Sequence, residues 1–588
     1  MKLSRRNFLK STVYGSAATS IPLTLSLPSS ALANTEGDYK ALVCLFLFGG
    51  NDSFNMLIPD SGENLDNYRN ARPAIQLWDH EKATLGKLLD DQQNNLVLNG
   101  AMPKIASLFE EKVATSVVNV GTLLEPTTKA NYGNVARSPN LGAHNKQQLA
   151  WQRGWGTRQY HPYGWAGMMM DILASGAETI SPNMSFSGNE LMNGQGIQDL
   201  RVSASGIRAM SSLAVNSVNN NIGKLLADNN ASAFGRAYLQ RFQDILDFQT
   251  TLGDMLEQHP EDPTIPAGYL GGQFKMVKRL IQASQGLNQS RQVYFISMGG
   301  FDNHSNQRGK HDGLLATIDD ALSAFYASLQ ADGLEDSVTT FTMSDFGRTI
   351  ENNSNQGTDH GWGSNQLVIG GSVKGGKAYG RYPTFVKDGP DAVGNKFIPT
   401  TASEQYAATL CRWFGLSDAG IDYIFPTLSP DNDNPFPSRY LSFLGSDLAQ
   451  SQRLDIAQVS ASETRVDHTP QMAIDGDPTT KWTAKGLGIQ FDITLKNLAM
   501  VNVLRVSQAK GDVRQYLMDI SVSGDGVTFT PLLSYLSPGN STGFVDIDLG
   551  TQEAKIIRLT CNGNNDSVNA GLVRWNNFQE IEVWGITQ

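Results

Sequence analysis

The densest group of side chains that could do chemistry lies between Asp345 and Gly361, directly after an apolar run. Within these positions the chain places two aspartates, one arginine and one histidine, namely Asp345, Arg348, Asp359 and His360. Carboxylates and imidazoles at the carboxyl end of a buried strand are donors that metal ions bind, and a bound ion can assist hydrolysis. The segment therefore predicts a metal-dependent hydrolytic site.

A second group of the same kind follows another apolar run and contains Asp302, His304 and His311. If the stretch from His304 to His311 is helical, both histidines lie on one face, because they are two turns apart. A binuclear site needs roughly four to seven such ligands, gathered from several strand ends. The chain offers enough of them: Asp52, Asp302, His304, His311, Asp345, Asp359 and His360.

Each of these residues also has a simpler interpretation. Asp345 could cap a helix, and Asp52 could belong to an Asx turn. The planar guanidinium of Arg348 suits a phosphate or sulfate oxyanion, but it could equally form a salt bridge to Asp345 or Glu351. His144 could be a base, a metal ligand or a packed core histidine. The repeated placement at strand ends favours the site for the group as a whole.

The net charge and the N-terminal segment indicate the class of binding partner and the cellular location. The 588 residues carry a formal net charge of −11, which argues against nucleic acid, since that binding needs clustered Lys and Arg. Residues 1–33 contain Arg5 and Arg6, a short apolar stretch and small residues at its end, the pattern of a twin-arginine export signal. No later segment reaches the roughly twenty apolar residues of a membrane span. We therefore expect a periplasmic or secreted bacterial protein with no transmembrane span after signal removal.

The pattern of apolar runs predicts two domains. Residues 38–445 alternate helix-period stretches with runs that are apolar on both faces, which is typical of a parallel sheet covered by helices. These runs are Ala41–Phe48, Val113–Val120, Gln292–Met298, Val338–Met343 and Gln366–Gly370. We predict an α/β fold of the α/β/α sandwich class, whose ligands bind beyond the carboxyl ends of the strands. Residues 455–588 contain short strands between turn residues and predict an all-β sandwich.

Four motifs in the first domain resemble a known family: Leu47–Pro59, Ala143–Gln152, Gly299–His304 and Ser344–Gly361. In this order they resemble the exported bacterial proteins of the family named domain of unknown function 1501. That family is similar to the alkaline phosphatase and sulfatase superfamily, which implies an alkaline phosphatase-like fold with a two-metal hydrolytic centre. The resemblance implies the metal ligands Asp52, Asp302, His304, Asp345, Asp359 and His360.

The nucleophile departs from the pattern that the resemblance implies. The superfamily attacks its substrate with a Ser, Thr or modified Cys at a helix N-terminus. In the family the residue before His144 is commonly Ser, whereas this chain has Ala143, whose methyl group cannot attack a substrate. Thr122 and Ser53 remain as candidate nucleophiles. The family also often carries Glu where this chain has Asp345.

The C-terminal segment has a resemblance of its own. Ala473–Trp482, Ser523–Gly526 and Phe578–Gly585 are similar to the discoidin-type (coagulation factor C-type), galactose-binding-like domain. This resemblance covers about residues 455–588 and implies a jelly-roll sandwich that binds glycans or surfaces. It also implies a structural calcium site, since oxygen donors suit a hard cation, and a plain Asp-Gly turn is the alternative. The matching residues are Asp475, Asp477, Thr480 and Glu580.

These features lead to one leading hypothesis and one alternative. The leading hypothesis is an exported metal-dependent hydrolase that cleaves small phosphate or sulfate esters and is tethered to a glycan or cell surface. Its cofactors would be two divalent ions, Zn or Mn by ligand type, with Ca in the C-terminal domain. Arg348 would hold the substrate anion, and His144 and Thr122 are further candidate catalytic residues. The alternative is a non-catalytic surface or carbohydrate-binding protein that kept the fold and lost the nucleophile.

Overall fold

The computed structural model describes most of the chain. The described residues are 39–84, 88–154, 162–173, 181–197, 199–204, 252–429, 436, 438–444, 452–537, 539, 541–566, 571–573 and 575–587. The predicted export signal therefore lies outside the described residues. Within the described ranges, no helix combines the length and the apolar character needed to pass through a bilayer.

Strands alternate with helices in the first part of the chain. The strands are β1 (Lys40–Leu47), β2 (Leu57–Pro59), β3 (Leu88–Leu89), β4 (Asn95–Leu98), β5 (Ala114–Gly121), β6 (Asn183–Ser185), β7 (Leu200–Arg201), β8 (Arg291–Met298), β9 (Val338–Ser344), β10 (Ser364–Ile369), β11 (Ala378–Tyr379), β12 (Ala392–Val393), β13 (Lys396–Phe397) and β14 (Thr401–Ala402). The helices are α1 (Ser53–Met56), α2 (Gly62–Ala71), α3 (Pro103–Glu110), α4 (His144–Arg153), α5 (Trp165–Leu173), α6 (Tyr269–Gln282), α7 (Gln307–Ala331), α8 (Ser403–Phe414) and α9 (Asp418–Ile424).

A nine-stranded sheet forms the centre of this part of the chain. Its strands lie in the order β11-β5-β10-β9-β1-β8-β6-β7, and β14 pairs with β5. Alternate residues of the central strand β1 enter different cores, because successive side chains point to opposite faces. Leu45 packs with residues of α3, α6 and α7, whereas Cys44 packs with residues of α5, α8 and α9. Helices therefore cover both faces, and the mixed α/β prediction is confirmed.

One strand of the sheet runs against the predicted direction. β1 pairs in parallel with β8 and β9, but β10 pairs antiparallel with β5 and β9. The expectation that all five apolar runs are parallel is therefore wrong for Gln366–Gly370. The reversal places the start of β10, rather than its end, at the edge where β8 and β9 end. Asp359 and His360 precede that start, and so they reach the carboxyl edge of the parallel strands.

The C-terminal part is built from antiparallel strands, and the all-β prediction is confirmed. Its strands are β15 (Gln452–Arg453), β16 (Ile456–Ala461), β17 (Trp482–Lys485), β18 (Ile489–Ser507), β19 (Arg514–Ser523), β20 (Thr530–Leu536), β21 (Val545–Asp566), β22 (Gly571–Val573), β23 (Trp575–Phe578) and β24 (Glu580–Thr587). β18 and β21 each join two runs that the turn residues predicted as separate strands. Shifts of register absorb the intervening residues, as bulges do. Trp482 stacks on Phe578 at 5.5 Å inside the core of this part.

Candidate metal centre

Four side chains bring a nitrogen or oxygen donor to one place at the carboxyl edge of the large sheet. Nε2 of His304 lies 3.1 Å from Nε2 of His360 and 3.0 Å from Oδ1 of Asp302. Nε2 of His360 lies 3.3 Å from the same oxygen. Nε2 of His144 lies 3.6 Å from Oδ2 of Asp302, and donors of His144, Asp302 and His360 all lie within 4.8 Å of one another.

The separations among the donors of Asp302, His304 and His360 are close to those between neighbouring ligands of a tetrahedral ion. Bonds of about 2.0–2.1 Å at tetrahedral angles place neighbouring ligand atoms roughly 3.3–3.4 Å apart. Two lone pairs that face each other without a proton or a cation between them repel, and the Nε2 atoms of His304 and His360 are only 3.1 Å apart. A cation between Asp302, His304 and His360 fits these distances, and His144 approaches the other carboxylate oxygen of Asp302 at 3.6 Å.

The donors come from three separate segments that the sheet brings together. Asp302 and His304 follow β8, His360 precedes β10, and His144 is the first residue of α4. Close backbone contact explains one glycine of the motif, because a Cβ on Gly357 would stand 2.3 Å from the carbonyl carbon of His304. The segment that carries His360 can therefore pass His304 only with glycine at this position.

The second ring nitrogen of each histidine has an acceptor of its own. The three contacts are Nδ1 of His144 to Oδ2 of Asp345 at 2.6 Å, Nδ1 of His304 to Oδ1 of Asp359 at 2.9 Å, and Nδ1 of His360 to the carbonyl oxygen of Gly142 at 2.7 Å. Because carbonyl and ionised carboxylate oxygens only accept, the neutral form of each ring carries its proton on Nδ1 and has its lone pair on Nε2. Histidines that bind metals commonly have such a partner behind them.

Asp345 and Asp359 therefore contact histidines, whereas the sequence predicted them as ligands. Asp345 is fully buried, and its Oδ2 also accepts a hydrogen bond from Gln148 at 2.9 Å. Burial raises the pKa of Asp345, although the hydrogen bonds from His144 and Gln148 oppose the rise. Desolvation also works to raise the pKa of the more exposed Asp359, but the hydrogen bonds from His304 and Asn353, together with the nearby histidines, lower this pKa overall.

Arg348 lies beneath the cluster rather than at its open side. Its side chain is fully buried and donates to the carbonyl oxygens of Gly49, Gly50, Phe301 and Thr358 and to Oδ1 of Asp302. All of these hydrogen bonds go to the protein, so the predicted grip on a substrate anion is not present. The ion pair forms with Asp302 at 2.7 Å, not with Asp345 or Glu351.

The charges around the cluster keep the donors in the form that a metal requires. Desolvation works to raise the pKa of Asp302, but the hydrogen bond and charge of Arg348, together with His304 and His144, bring that pKa below its ordinary value. Burial lowers the pKa of His360, although its hydrogen bond to the Gly142 carbonyl opposes this. Asp302 is therefore ionised and His360 neutral near pH 7.

Asp52, another predicted ligand, belongs to a different set of contacts. It is 2% exposed and pairs with the guanidinium of Arg72 at 2.8 Å. It also accepts a hydrogen bond from Gln307, whose own carbonyl accepts from Thr358 at 2.6 Å. The side chain caps no backbone group of the short helix α1. Asp52 therefore supports the segment that carries Asp359 from below.

His311 is also held away from the cluster. Its Nε2 lies 2.8 Å from Oδ1 of Asn51, and burial lowers the pKa of His311 to about 4. The helix α7 begins at Gln307, after Asn306, which adopts a left-handed conformation. His304 therefore lies outside this helix, and the predicted shared face with His311 is wrong.

Neither candidate nucleophile contacts the cluster within the described ranges. Thr122 is 1% exposed, and its hydroxyl donates to Oε1 of Gln147 at 2.8 Å. Ser53 is fully buried, and its Oγ accepts from the backbone nitrogen of Asn365 at 2.7 Å. Both hydroxyls serve packing in this structure, and neither faces an open site.

Sequence reasoning missed three partners of the site residues. Gln148 follows His144 by four residues on α4, so helical spacing could have placed both side chains on one face. The Gly142 carbonyl is a backbone atom, and nothing in the residue type indicates that it accepts from His360. Arg72 lies outside the four motifs of this domain, so nothing in the neighbouring sequence indicated that it pairs with Asp52.

The predicted calcium ligands of the C-terminal part lie together. Oγ1 of Thr480 is 2.8 Å from Oδ2 of Asp475 and 3.1 Å from the carbonyl oxygen of Asp477. The carboxylate of Asp477 instead accepts from the backbone of Thr479 at 2.9 Å. Glu580 is 5% exposed, and its Oε1 has no partner among the described residues. Burial, and then the neighbouring Asp475, raises the pKa of Glu580 to about 7, and two carboxylates held in contact fit a cation between them.

The fold and the site define an α/β protein with a metal-type cluster of histidine and aspartate, followed in the chain by an antiparallel β domain. The chain belongs to the family described as "Protein of unknown function (DUF1501)", which matches residues 39–418. Residues 458–575 match the F5/8 type C domain. Both family resemblances expected from the motifs are confirmed. No curated protein matches the chain.

Solved structures with similarity to the chain include carbohydrate-binding modules. Truncated AlyQ with CBM32 and alginate lyase domains is 26% identical, with a TM-score of 0.22, and the match covers 24% of this chain and 34% of that one. The CBM32 of AlyQ in complex with 4,5-unsaturated mannuronic acid is 27% identical, with a TM-score of 0.21 and coverage of 22% and 97%. The family 32 CBM from C. perfringens NanJ in complex with galactose is 14% identical, with a TM-score of 0.20 and coverage of 23% and 98%. The chain thus spans only 34% of the length of the first of these proteins.

Proposed function

We propose that the α/β part of the chain is a metal-dependent hydrolase of small phosphate or sulfate esters, of the alkaline phosphatase-like type. Its centre would consist of His144, Asp302, His304 and His360. One observation carries this proposal: three imidazole Nε2 atoms surround Asp302, and each ring is fixed through Nδ1 by a separate acceptor. Lone pairs that face a carboxylate repel it unless a cation lies between them. The arrangement is therefore unfavourable in a packed core and favourable in a metal site.

The ligand types favour zinc or manganese, and the three imidazoles favour zinc. A divalent ion bound there supplies Lewis acidity toward an ester oxygen and lowers the pKa of water. The protein orients the donors: Asp345 and Asp359 hold the Nδ1 protons of His144 and His304 on the far side of each ring. Ala143 has no hydroxyl, so the geometry favours direct attack by water. Addition of water across the P–O or S–O bond releases an alcohol and the inorganic anion.

The arrangement favours one ion per centre rather than the two expected from the sequence. A second ion would have only the other oxygens of Asp345 and Asp359 available, because one oxygen of each contacts a histidine and Asp52 pairs with Arg72. His311 contacts Asn51 instead. The remaining donor set is the size of one tetrahedral shell.

Zinc-loaded protein should contain one ion per chain after dialysis, and His360→Ala should lower the zinc affinity by at least about tenfold, because it removes one of four ligands. Inductively coupled plasma mass spectrometry measures the content, and p-nitrophenyl phosphate and p-nitrophenyl sulfate measure hydrolysis. His80→Ala is the matched control, since His80 is exposed and lies outside the cluster. Two ions per chain would contradict the single-ion centre, and no ion would contradict the metal site itself.

The second candidate function is a non-catalytic binding protein. It is favoured by Ala143, which stands where the family commonly has Ser, and by the burial of Thr122 and Ser53. One bound ion without hydrolysis of either ester would support this function over the hydrolase.

For the C-terminal domain we infer a glycan-binding role that tethers the protein to a cell surface or extracellular glycan. The match to the F5/8 type C domain supports this role. Calcium would join the first loop to the last strand through Asp475, Thr480 and Glu580, with the Asp477 carbonyl as a further donor. Export by the twin-arginine signal in residues 1–33 would place the protein in the periplasm or outside the cell.

Calcium should stabilise the C-terminal domain by about 2.7 kcal/mol when present at a hundredfold excess over its dissociation constant. Thermal unfolding with calcium or with chelator measures this gain, and Glu580→Gln should abolish most of it. Glu582→Gln on the same strand is the matched control, because Glu582 pairs with Arg505 at 3.1 Å instead. An equal calcium response in both variants would contradict the calcium site.

A glycan array with the full chain tests the proposed tethering to glycan. The absence of any bound glycan counts against that role.

A further inference from the structure

None of the four residues of the candidate metal centre carries a positive side chain that could hold the anionic group of a substrate. The sequence predicted Arg348 for this task, but that guanidinium is fully buried and donates to backbone carbonyls and Asp302. A charged ester nevertheless needs a cation beside the metal, because its remaining oxygens carry charge that must be neutralised. Another cation near the cluster should therefore supply this contact.

Lys396 is such a cation. A Cβ built on Gly142 would lie 3.8 Å from Cβ of His360 and 3.9 Å from Nζ of Lys396. The ammonium of Lys396 and Cβ of His360 therefore both lie near Gly142, and the carbonyl of that glycine accepts from His360. The ammonium thus lies beside the glycine whose carbonyl holds His360 in place.

The Lys396 ammonium has no protein acceptor within the described residues, and the side chain is half-buried. Nearby basic side chains differ in this respect: Lys387 pairs with Glu351 at 2.7 Å, and Arg348 pairs with Asp302 at 2.7 Å. A half-buried ammonium that has lost part of its hydration and gained no protein partner is available for an anionic ligand.

The hairpin of β12 and β13 fixes the direction of Lys396. The next residue, Phe397, is fully buried and packs on Phe54 at 4.6 Å between ring centres, so the preceding side chain points to the opposite face. The hairpin is also bound to the segment that carries His360. Ile350 donates to the carbonyl of Asn395 at 3.1 Å, and Gly363 donates to the carbonyl of Phe397 at 3.3 Å.

We propose that Lys396 binds the anionic group of the substrate, a tetrahedral phosphoryl or sulfuryl oxyanion, beside the cluster of His144, Asp302, His304 and His360. This inference rests on the proposed function. Lys396 would have the anion-binding role that the sequence suggested for Arg348. Its ammonium acts as a point charge, whereas a guanidinium would form two parallel hydrogen bonds. Its contribution is to substrate binding, so its removal raises KM more than it lowers kcat.

Isothermal titration of zinc-loaded protein with inorganic phosphate, and separately with inorganic sulfate, tests the proposal and distinguishes the two anions. Lys396→Met should weaken binding of the preferred anion by about tenfold or more, the loss of one charged hydrogen bond. Lys396→Arg should restore part of the affinity. Lys387→Met is the matched control, because it removes a nearby lysine that already has a carboxylate partner. The bound zinc should be the same in all four proteins.

Unchanged anion affinity in Lys396→Met with full zinc content overturns this inference and leaves the metal centre in place. Wild-type protein that binds zinc but neither anion also overturns it. Wild-type protein that retains no zinc overturns the proposed function, and this inference falls with it. The separate measurement of zinc thus distinguishes the two failures.

Discussion

Asp52→Asn is expected to lower the free energy of unfolding by about 3–5 kcal/mol while the protein keeps its full content of metal. Asp52 and Arg72 are 2% and 0% exposed, and their charged atoms are 2.8 Å apart. Removing one charge leaves the other buried without its counterion. Arg72 also donates to the carbonyls of Thr349 at 2.7 Å and Ile350 at 2.9 Å, so the segment that leads to the cluster depends on it.

Urea unfolding measures this loss, and metal content is measured at a temperature at which the variant is folded. Asp320→Asn provides the control, because it breaks the exposed ion pair with Lys104 and should leave the urea midpoint nearly unchanged. Loss of the ion from folded Asp52→Asn would place Asp52 among the ligands, as the sequence suggested. A variant as stable as the wild type would show that the buried pair does not support the fold.

Asp345→Asn is expected to weaken zinc affinity by about 10- to 100-fold. The fully buried carboxylate of Asp345 accepts the Nδ1 proton of His144 at 2.6 Å and thereby keeps Nε2 free for the ion. A neutral amide in its place can donate to Nδ1 instead, which moves the ring proton to Nε2 and blocks the donor. Competition with a chromophoric chelator measures the affinity of both proteins.

Asp359→Asn is the control for this effect, because Asp359 makes the same kind of contact with His304 but has a side chain that is 58% exposed. Water can replace part of its contribution, so its loss should weaken zinc binding less than the loss of Asp345. An unchanged zinc affinity in Asp345→Asn would show that Asp345 does not orient His144. Two ions in the wild type and one in this variant would show that Asp345 is itself a ligand.

Local patterns in the sequence predicted the layered fold and several members of the site. The run Ala41–Phe48 is apolar at successive positions, which only a strand covered on both faces requires, and β1 lies in the middle of the sheet. The motifs that contain Asp302, His304 and His360 follow or precede such strands, so their arrival at one edge could be expected. The proposed calcium donors Asp475 and Thr480, which lie in contact, came from the resemblance of a short motif.

The direction of β10 could not be predicted from its composition, because parallel and antiparallel strands that are buried on both faces share the same apolar pattern. That direction brings His360 to the cluster. The same limit applies to Arg348, whose charge suggested an exposed anion site. Whether a guanidinium meets solvent or backbone carbonyls depends on the packing of segments that are distant in the chain, here Gly50 and Phe301.

The sequence by itself determined the types of donor, their order along the chain and the strand ends that carry them. Only the tertiary structure decided which donor faces the candidate metal site and which one supports a histidine. His144 and Asp345 are 201 residues apart, yet their contact assigns the ring nitrogen that can bind metal. A ligand and its supporting partner can have the same side chain and differ in position by only a few ångströms. Residue type and spacing therefore do not show which of the two roles a residue has. The packing of separate segments against the sheet determines it.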